Sequence, residues 1–399
     1  MVSDPGRVAL HAFYPLISYE ILSSKLSKPD GAKNFEKTKK TRPIAYAGHL
    51  DSQIYSYYAQ RLSREYERFL KENDLERSIL AFRPLGMSNI DFAHAAFTEI
   101  RSRGSCAAVA MDVSKFFDRL NHELLRSAWS RLLGVAELPD DHYAVFKSVT
   151  KFSKVDRDKL YAEFGISKTN PRNNRVRICL PSEFRARVRN KGLVTANKQP
   201  FGIPQGTPIS AVLSNIYMMG FDIEAKSLVE DLGGVYFRYC DDILVIVPVT
   251  KMKSIAGDIS RLISERKLRL NTKKTELREF KVNLKGKLSA DRPLQYLGFT
   301  FDGERVLIRS AAFARYSQKM KKAVRLAKVT RRRWNKIRGL RGQAPRQLYK
   351  KSLYKKYSHF GRQNFLRYGY RASEIMMAPE IRGQLKPLWR RLREEMQED

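Results

Sequence analysis

Residues Val235 to Val247 read VYFRYCDDILVIV, and no other stretch restricts the fold as much. Two β-forming runs flank a pair of adjacent carboxylates, Asp241 and Asp242. Val, Tyr, Phe and Ile suit a pleated, half-buried surface, and aspartate does not. The spacing predicts a tight β-hairpin with an acidic tip. Two like charges at one tip raise each other's pKa and destabilise it unless something positive neutralises them. A divalent metal ion is the obvious candidate. Turns also favour Asp for backbone reasons alone, so this window leaves metal binding and plain turn chemistry equally open.

Composition sets the partner class. The chain has 399 residues and a formal charge of +35, from 76 Lys and Arg against 41 Asp and Glu. That length suits two or three structural units, and 43% hydrophobic content is ample for a core. A charge this large calls for a polyanion or a membrane surface. No apolar run is long enough to span a bilayer. The N-terminal MVSDPGRVALHAFYPL lacks a basic region followed by an apolar stretch and a cleavage site. Cys106, Cys179 and Cys240 are far apart and odd in number, which fits reduced thiols, and none has zinc-ligand spacing. The expectation is a cytoplasmic protein that binds nucleic acid.

Two further segments carry chemistry. Cys106 to Met111, CAAVAM, reads as a buried strand ending in Asp112. Phe116, Phe117, Leu120, Leu124 and Leu125 then follow a helical period. Asp112 thus stands where a core strand gives way to a helix, as a presented carboxylate or as a helix cap. Pro200 to Tyr217, PFGIPQGTPISAVLSNIY, is a Gly- and Pro-constrained loop opening a helix. Such a loop, with the amide of Gln205 in it, lets backbone approach a ligand closely, or is an ordinary Gly-Pro turn.

In order, strand-Asp112-helix, the Gln205 loop and the Tyr239-Cys240-Asp241-Asp242 hairpin resemble the palm of reverse transcriptases. The loop and the YCDD hairpin are close to the bacterial, group II-intron- and retron-like patterns. KTRPIAYAGHLDSQIYSYY (Lys40 to Tyr58) resembles the first fingers motif and AFRPLGMS (Ala81 to Ser88) the second. LRLNTKKTEL (Leu268 to Leu277) resembles the lysine-bearing palm motif, and LQYLGFTF (Leu294 to Phe301) the primer-grip strand. RPIAYAGHLDSQIYSYYAQ is most similar to the defence-associated ("unknown group") enzymes.

The resemblance implies an α+β, right-hand polymerase with fingers, an antiparallel-sheet palm and a helical thumb. It implies RNA-directed DNA synthesis with two Mg2+ ions, replaceable by Mn2+, that stabilise the attacking and leaving oxygens. Asp112 and Asp241 would bridge the metals, the Val113 carbonyl would add a ligand, and Asp242 would complete the acidic triad. Lys40, Arg42 and Arg83 would clamp the triphosphate of the incoming dNTP, since a forked guanidinium suits phosphate. Gln205 would lie near the nascent base pair, and Lys274 would reach the departing pyrophosphate. Leu297, Gly298 and Phe299 would support the primer, although an LGF turn serves equally well as core packing. Phe117, five residues after Asp112, matches an aromatic gate against the 2′-hydroxyl. Asp118 keeps ribonucleotide use open, because RNA polymerases carry an aspartate near this spacing.

The motifs divide the chain into fingers (1–105), palm (106–122 and 196–302), an insertion between palm motifs (123–195) and a basic helical thumb (303–399). Residues 315–399 hold 25 Lys and Arg against 6 Asp and Glu, a density suited to tracking phosphates. Arg331, Arg332 and Arg333 are the expected RNA-facing patch, and most interleaved thumb aromatics are expected in the core. The basic stretch near 168–192 would contact template or partner RNA, or be a solvated loop. The partners implied are an RNA template, a structured noncoding RNA in the defence group, with a DNA primer or product and dNTPs. A template-independent or ribonucleotide polymerase, and a non-catalytic RNA-binding scaffold, stay as alternatives.

Overall fold

The computed structural model describes residues 1–27 and 36–397, with side chains described outside 23–39. Its strands are β1 (Leu16–Ser27), β2 (Glu36–Tyr46), β3 (Cys106–Asp112), β4 (Ser153–Asp156), β5 (Val194–Ala196) and β6 (Val235–Tyr239). They continue with β7 (Asp242–Val247), β8 (Glu276–Val282), β9 (Leu288–Ala290), β10 (Leu294–Tyr296), β11 (Phe299–Phe301) and β12 (Val306–Ile308). The central sheet runs β6-β7-β3-β8-β9 and is antiparallel throughout.

Strands β3 and β7 of this sheet are buried on both faces, which explains their unbroken apolar runs. Ala107, Val109 and Met111 of β3, with Ile243, Val245 and Val247 of β7, enter one core. Cys106, Ala108 and Ala110, with Leu244 and Ile246, enter the other. The first core takes in helices Met219–Asp231 and Met252–Glu265 through Phe221, Ala225, Ile255 and Ile259. The second takes in helix Asn89–Arg103, the β10-β11-β12 sheet and the C-terminal helices. Truncating Leu244 to Ala would cost about 2–5 kcal/mol, the usual range for a buried leucine.

A second sheet has the order β2-β1-β4-β5. Here β1 pairs antiparallel with β2 and parallel with β4, and β4 pairs antiparallel with β5. Segment 123–195 is therefore not free-standing. Its strands extend the β1–β2 sheet, and Leu125, Trp129, Val145 and Val149 fill the first core.

The C-terminal part is helical: Ser310–Leu340, Lys351–Tyr357, Phe365–Ile375 and Pro379–Gln397. The 31-residue first helix buries Tyr316, Met320 and Val324, all in its N-terminal half. Of the aromatics expected in the core here, Tyr316 is buried. Tyr354, Tyr357, Phe365, Tyr368 and Trp389 are half-buried, and Trp334, Tyr349 and Phe360 are exposed.

Candidate active site

The acidic tip is a two-residue hairpin. Tyr239 pairs with Asp242 across β6 and β7, leaving Cys240 and Asp241 as the loop. Cys240 has φ +60°, and Asp241 is not in the positive region, as in a type II′ turn. A left-handed conformation costs a residue with a side chain about 1–2 kcal/mol, so the surroundings must hold Cys240 there.

Register brings the third carboxylate to this tip. Asp112, the last residue of β3, is paired with Asp242. Val113 N–H donates to the Asp241 carbonyl at 3.0 Å, and Asn271 N–H donates to the Asp112 carbonyl at 2.7 Å. Asp112 does not cap the following helix, which spans Phe116–Arg119 with Lys115 before it at φ +49°. The periodicity read through Leu125 is broken at Leu120 and Asn121, and a separate helix starts at His122.

Burial and the other two acids make it costly to charge Asp242. Burial, then the charges of Asp241 and Asp112, push the Asp242 carboxyl up to about 7, against the opposing pull of Lys274 and Arg309. Lys274 Nζ lies 2.5 Å from Asp112 Oδ1. Among the described residues, no group of three or more His, Cys, Asp or Glu stands ready-made as a metal cage. The residues nevertheless fit divalent cations. They are oxygen donors with excess negative charge, and an ammonium already sits on one of them.

Around this tip opens a cleft of about 3180 Å3. That far exceeds the 300–1,000 Å3 typical of small-ligand sites and suits a polymer. One wall carries Lys40, Arg42, Phe117 and Gln205, and the lining also includes Leu297, Gly298, Arg309, Arg315, Lys319, Lys355 and Lys356. That wall is stitched together by backbone. Ala45 N–H donates to the Gln205 carbonyl at 2.8 Å, and Ile203 N–H to the Phe117 carbonyl at 2.9 Å. Gly206 is required here: its φ is +118°, and a Cβ would lie 2.8 Å from the Ala45 carbonyl oxygen. Phe117 is half-buried beside Phe116 at 5.5 Å, so its ring is braced from behind.

Leu297 and Gly298 form a second tight turn, between β10 and β11, with φ +45° and +95°. Asn89 Nδ2 donates to the Leu297 carbonyl at 2.9 Å. Arg309 N–H donates to the Gly298 carbonyl at 3.1 Å.

Arg83, Phe299 and the Arg331–Arg333 run lie outside the cleft lining. The Arg83 guanidinium forms a fork with Glu67 at 2.9 and 2.6 Å and donates to the Ile79 carbonyl, with its side chain 3% exposed. A guanidinium so engaged has little left for a phosphate. Phe299 is fully buried and stacks on Tyr368 at 6.1 Å, so it is core and not a primer contact. Arg331, Arg332 and Arg333 lie on the distal half of the long helix, outside the cleft lining.

Arg238 and Asp222 carry no weight in the sequence reading, yet both are fully buried. They form a two-pronged pair directly behind the hairpin tip. The available signal was a cation within the apolar run VYFRY, since a buried charge requires a partner.

Residues 141–301 match the family model described as "Reverse transcriptase (RNA-dependent DNA polymerase)". The match contains Gln205, Asp241, Asp242 and Lys274, and Asp112 lies ahead of it. No curated protein matches the chain. Among solved structures, the chain is similar to apo telomerase from Candida tropicalis lacking its C-terminal domain. That likeness has 10% identity and a TM-score of 0.45, over 73% of this chain and 57% of that one. It is also similar to Candida albicans telomerase in complex with a TWJ fragment of telomeric RNA. There the identity is 11% and the TM-score 0.43, over 81% and 52% of the two chains. The chain thus spans about half the length of the structures it matches. Residues 141–301 of this α+β chain are thus similar to the reverse transcriptase (RNA-dependent DNA polymerase) family.

Proposed function

We propose that the protein copies RNA into DNA at the Asp112–Asp241–Asp242 site. The observation that carries this reading is the pairing of Asp112 with Asp242, next to Asp241, in a cleft of polymer size lined with cations. Held by Asp112, Asp241, Asp242 and the Val113 carbonyl, two magnesium ions would stabilise the attacking and leaving oxygens of nucleotidyl transfer.

The chain's own residues bind and orient the substrates. Arg42 and Lys40 line the same cleft as the acids and attract the triphosphate, a forked guanidinium gripping two oxygens at once. Phe117 closes the space beside the sugar with an apolar ring, leaving a 2′-hydroxyl without a hydrogen-bond partner. Gln205 stands on the same wall, where the new base pair would lie. Lys274, now on Asp112, is placed to move to the departing pyrophosphate and supply charge or a proton. In the same cleft, Leu297 and Gly298 present backbone at a tight turn to the primer.

The template would be a structured RNA held against the basic C-terminal helices. Helix Ser310–Leu340 contains no Asp or Glu. Arg331, Arg332 and Arg333 extend its positive charge beyond the cleft, so RNA outside the copied region is their expected partner. The similarity of RPIAYAGHLDSQIYSYYAQ to defence-associated enzymes supports a cytoplasmic role against phage, with a noncoding RNA as template. No helix among the described residues is long and apolar enough to cross a membrane.

Two experiments test this reading. RNA that copurifies with the protein from its host is sequenced together with any attached DNA. A defined RNA with complementary DNA is expected, and random cellular RNA would overturn the dedicated-template reading. Incorporation of dNTPs and NTPs is then compared for wild type, Phe117→Ala and Phe117→Tyr. Sugar discrimination should fall about 10–100-fold in the alanine variant and persist in the tyrosine variant. Asp118 also lines the cleft, so equal use of NTPs by the wild type would favour a ribonucleotide polymerase.

A further inference from the structure

The acidic hairpin is anchored from behind by one buried cation. Arg238 of β6, three residues before Asp241, is fully buried, as is Asp222 of helix Met219–Asp231. Arg238 Nε donates to Asp222 Oδ1 at 2.7 Å and Nη2 donates to Oδ2 at 2.6 Å. Tyr236 Oη donates to Asp222 Oδ1 at 2.7 Å. The remaining prong, Nη1, donates to Asn215 Oδ1 and to the Cys240 carbonyl, each at 3.1 Å. Asn215 sits on the helix that follows the Gln205 loop, and its Nδ2 donates to the Ala81 carbonyl at 2.9 Å. The Arg238 backbone exchanges bonds with Ser78 and Leu80. One guanidinium therefore joins the hairpin tip, the Gln205-loop helix and the segment around residues 78–81.

Stability alone does not explain this arrangement. A buried ion pair can often be replaced by apolar side chains of similar volume without loss of stability. A guanidinium, unlike an ammonium, projects donors in a fixed planar fork. The strained point of the hairpin is Cys240, at φ +60°, and its carbonyl is the group that Nη1 holds. Fixing the Cys240–Asp241 peptide fixes where the Asp241 carboxylate leaves the backbone.

We propose that Arg238, oriented by Asp222 and Asn215, is a positioning residue that holds Cys240 in its left-handed conformation and so sets Asp241 against Asp112. This rests on the polymerase reading of the site and adds the device that shapes it.

The test is Mn2+ binding to the full chain without nucleotide or primer, read from free Mn2+ by electron paramagnetic resonance. Melting temperature and dNTP incorporation are measured alongside. Three proteins are compared with wild type. Arg238→Lys keeps the charge and loses the fork. Arg238→Lys with Cys240→Gly adds a residue that accepts positive φ without strain. Arg238→Met with Asp222→Leu and Tyr236→Phe replaces the network by apolar packing and guards against simple unfolding. Mn2+ affinity should fall about tenfold, about 1.4 kcal/mol, in the first and third proteins. The glycine should restore it to within about threefold of wild type without restoring the melting temperature. Wild-type Mn2+ affinity in the folded apolar variant would overturn the proposal, as would a glycine double variant no better than Arg238→Lys. If the wild type binds Mn2+ but incorporates no dNTP, the polymerase reading fails while the positioning result still stands or falls on the binding data.

Discussion

Two tight turns line the same cleft. Tyr239-Cys240-Asp241-Asp242 joins β6 to β7, and Tyr296-Leu297-Gly298-Phe299 joins β10 to β11. Both have two-residue loops, and both place a non-glycine residue at positive φ. The first carries adjacent carboxylates and is tied down by a buried guanidinium. The second carries no charge and is tied by Asn89 and the Arg309 backbone. The same backbone device serves two purposes, one presenting charge for chemistry and the other presenting surface for a strand. Turn geometry alone therefore says nothing of function; the groups mounted on the turn and behind it do.

The largest effect should separate the turns outright. Asp241→Asn, nearly isosteric, should lower incorporation by at least about 1,000-fold, about 4 kcal/mol of barrier, with melting temperature held. A fall below tenfold, measured by single-turnover extension, would remove the charge from the account.

Next come two arginines. Arg42→Gln should raise the apparent KM for dNTP about tenfold, the loss of one charge-assisted phosphate contact. Arg83→Gln should leave KM alone and lower the melting temperature, because Arg83 serves Glu67 and the Ile79 carbonyl. If Arg83→Gln instead raised KM with Tm unchanged, the assignment of Arg83 to structure would be wrong.

At the second turn, the Cβ of Gly298→Ala would lie 4.0 Å from Asn89 Nδ2, an ordinary contact, but at a disfavoured φ of +95°. It should weaken primer extension about fivefold, the scale of a strained turn residue. The half-saturating Mg2+ should not change. A change in metal requirement would show that the two turns are not independent.

The smallest effect is on pH dependence of stability. The Asp242 carboxyl rises from 3.8 to about 7 in the folded, metal-free protein. Such a group destabilises the fold as pH climbs from about 4, and the penalty levels off above about 7. Asp242→Asn should therefore raise the melting temperature above pH 7 by a few degrees, and the gain should vanish near pH 4. The same replacement of exposed Glu304 should show no such pH profile.

The sequence reveals features whose cause is local. The β6–β7 hairpin announces itself by two apolar runs around DD, β3 by CAAVAM, and the Gln205 loop by its Gly and Pro spacing. The convergence of Asp112 on Asp242 is legible only through resemblance, because it depends on the β3–β7 register between residues 130 positions apart. Where partners are distant and unmarked, the reading fails. Arg83 finds Glu67 16 residues back on the preceding helix, and β4 joins β1 in parallel from far down the chain. The LGF turn carries two readings in the sequence, primer support and core packing, and Tyr296, Phe299 and Phe301 all lie in the core. Arg238 was passed over because the adjacent acids drew the chemistry to themselves.

The central claim is templated DNA synthesis at the acidic hairpin. Its most direct measurement is single-nucleotide extension of a DNA primer annealed to an RNA template, with Mg2+ and each dNTP in turn. The account predicts that the wild type adds the dNTP complementary to the template base and that Asp241→Asn adds none. Equal extension by Asp241→Asn, or no extension by wild type with any dNTP in Mg2+ or Mn2+, would contradict it.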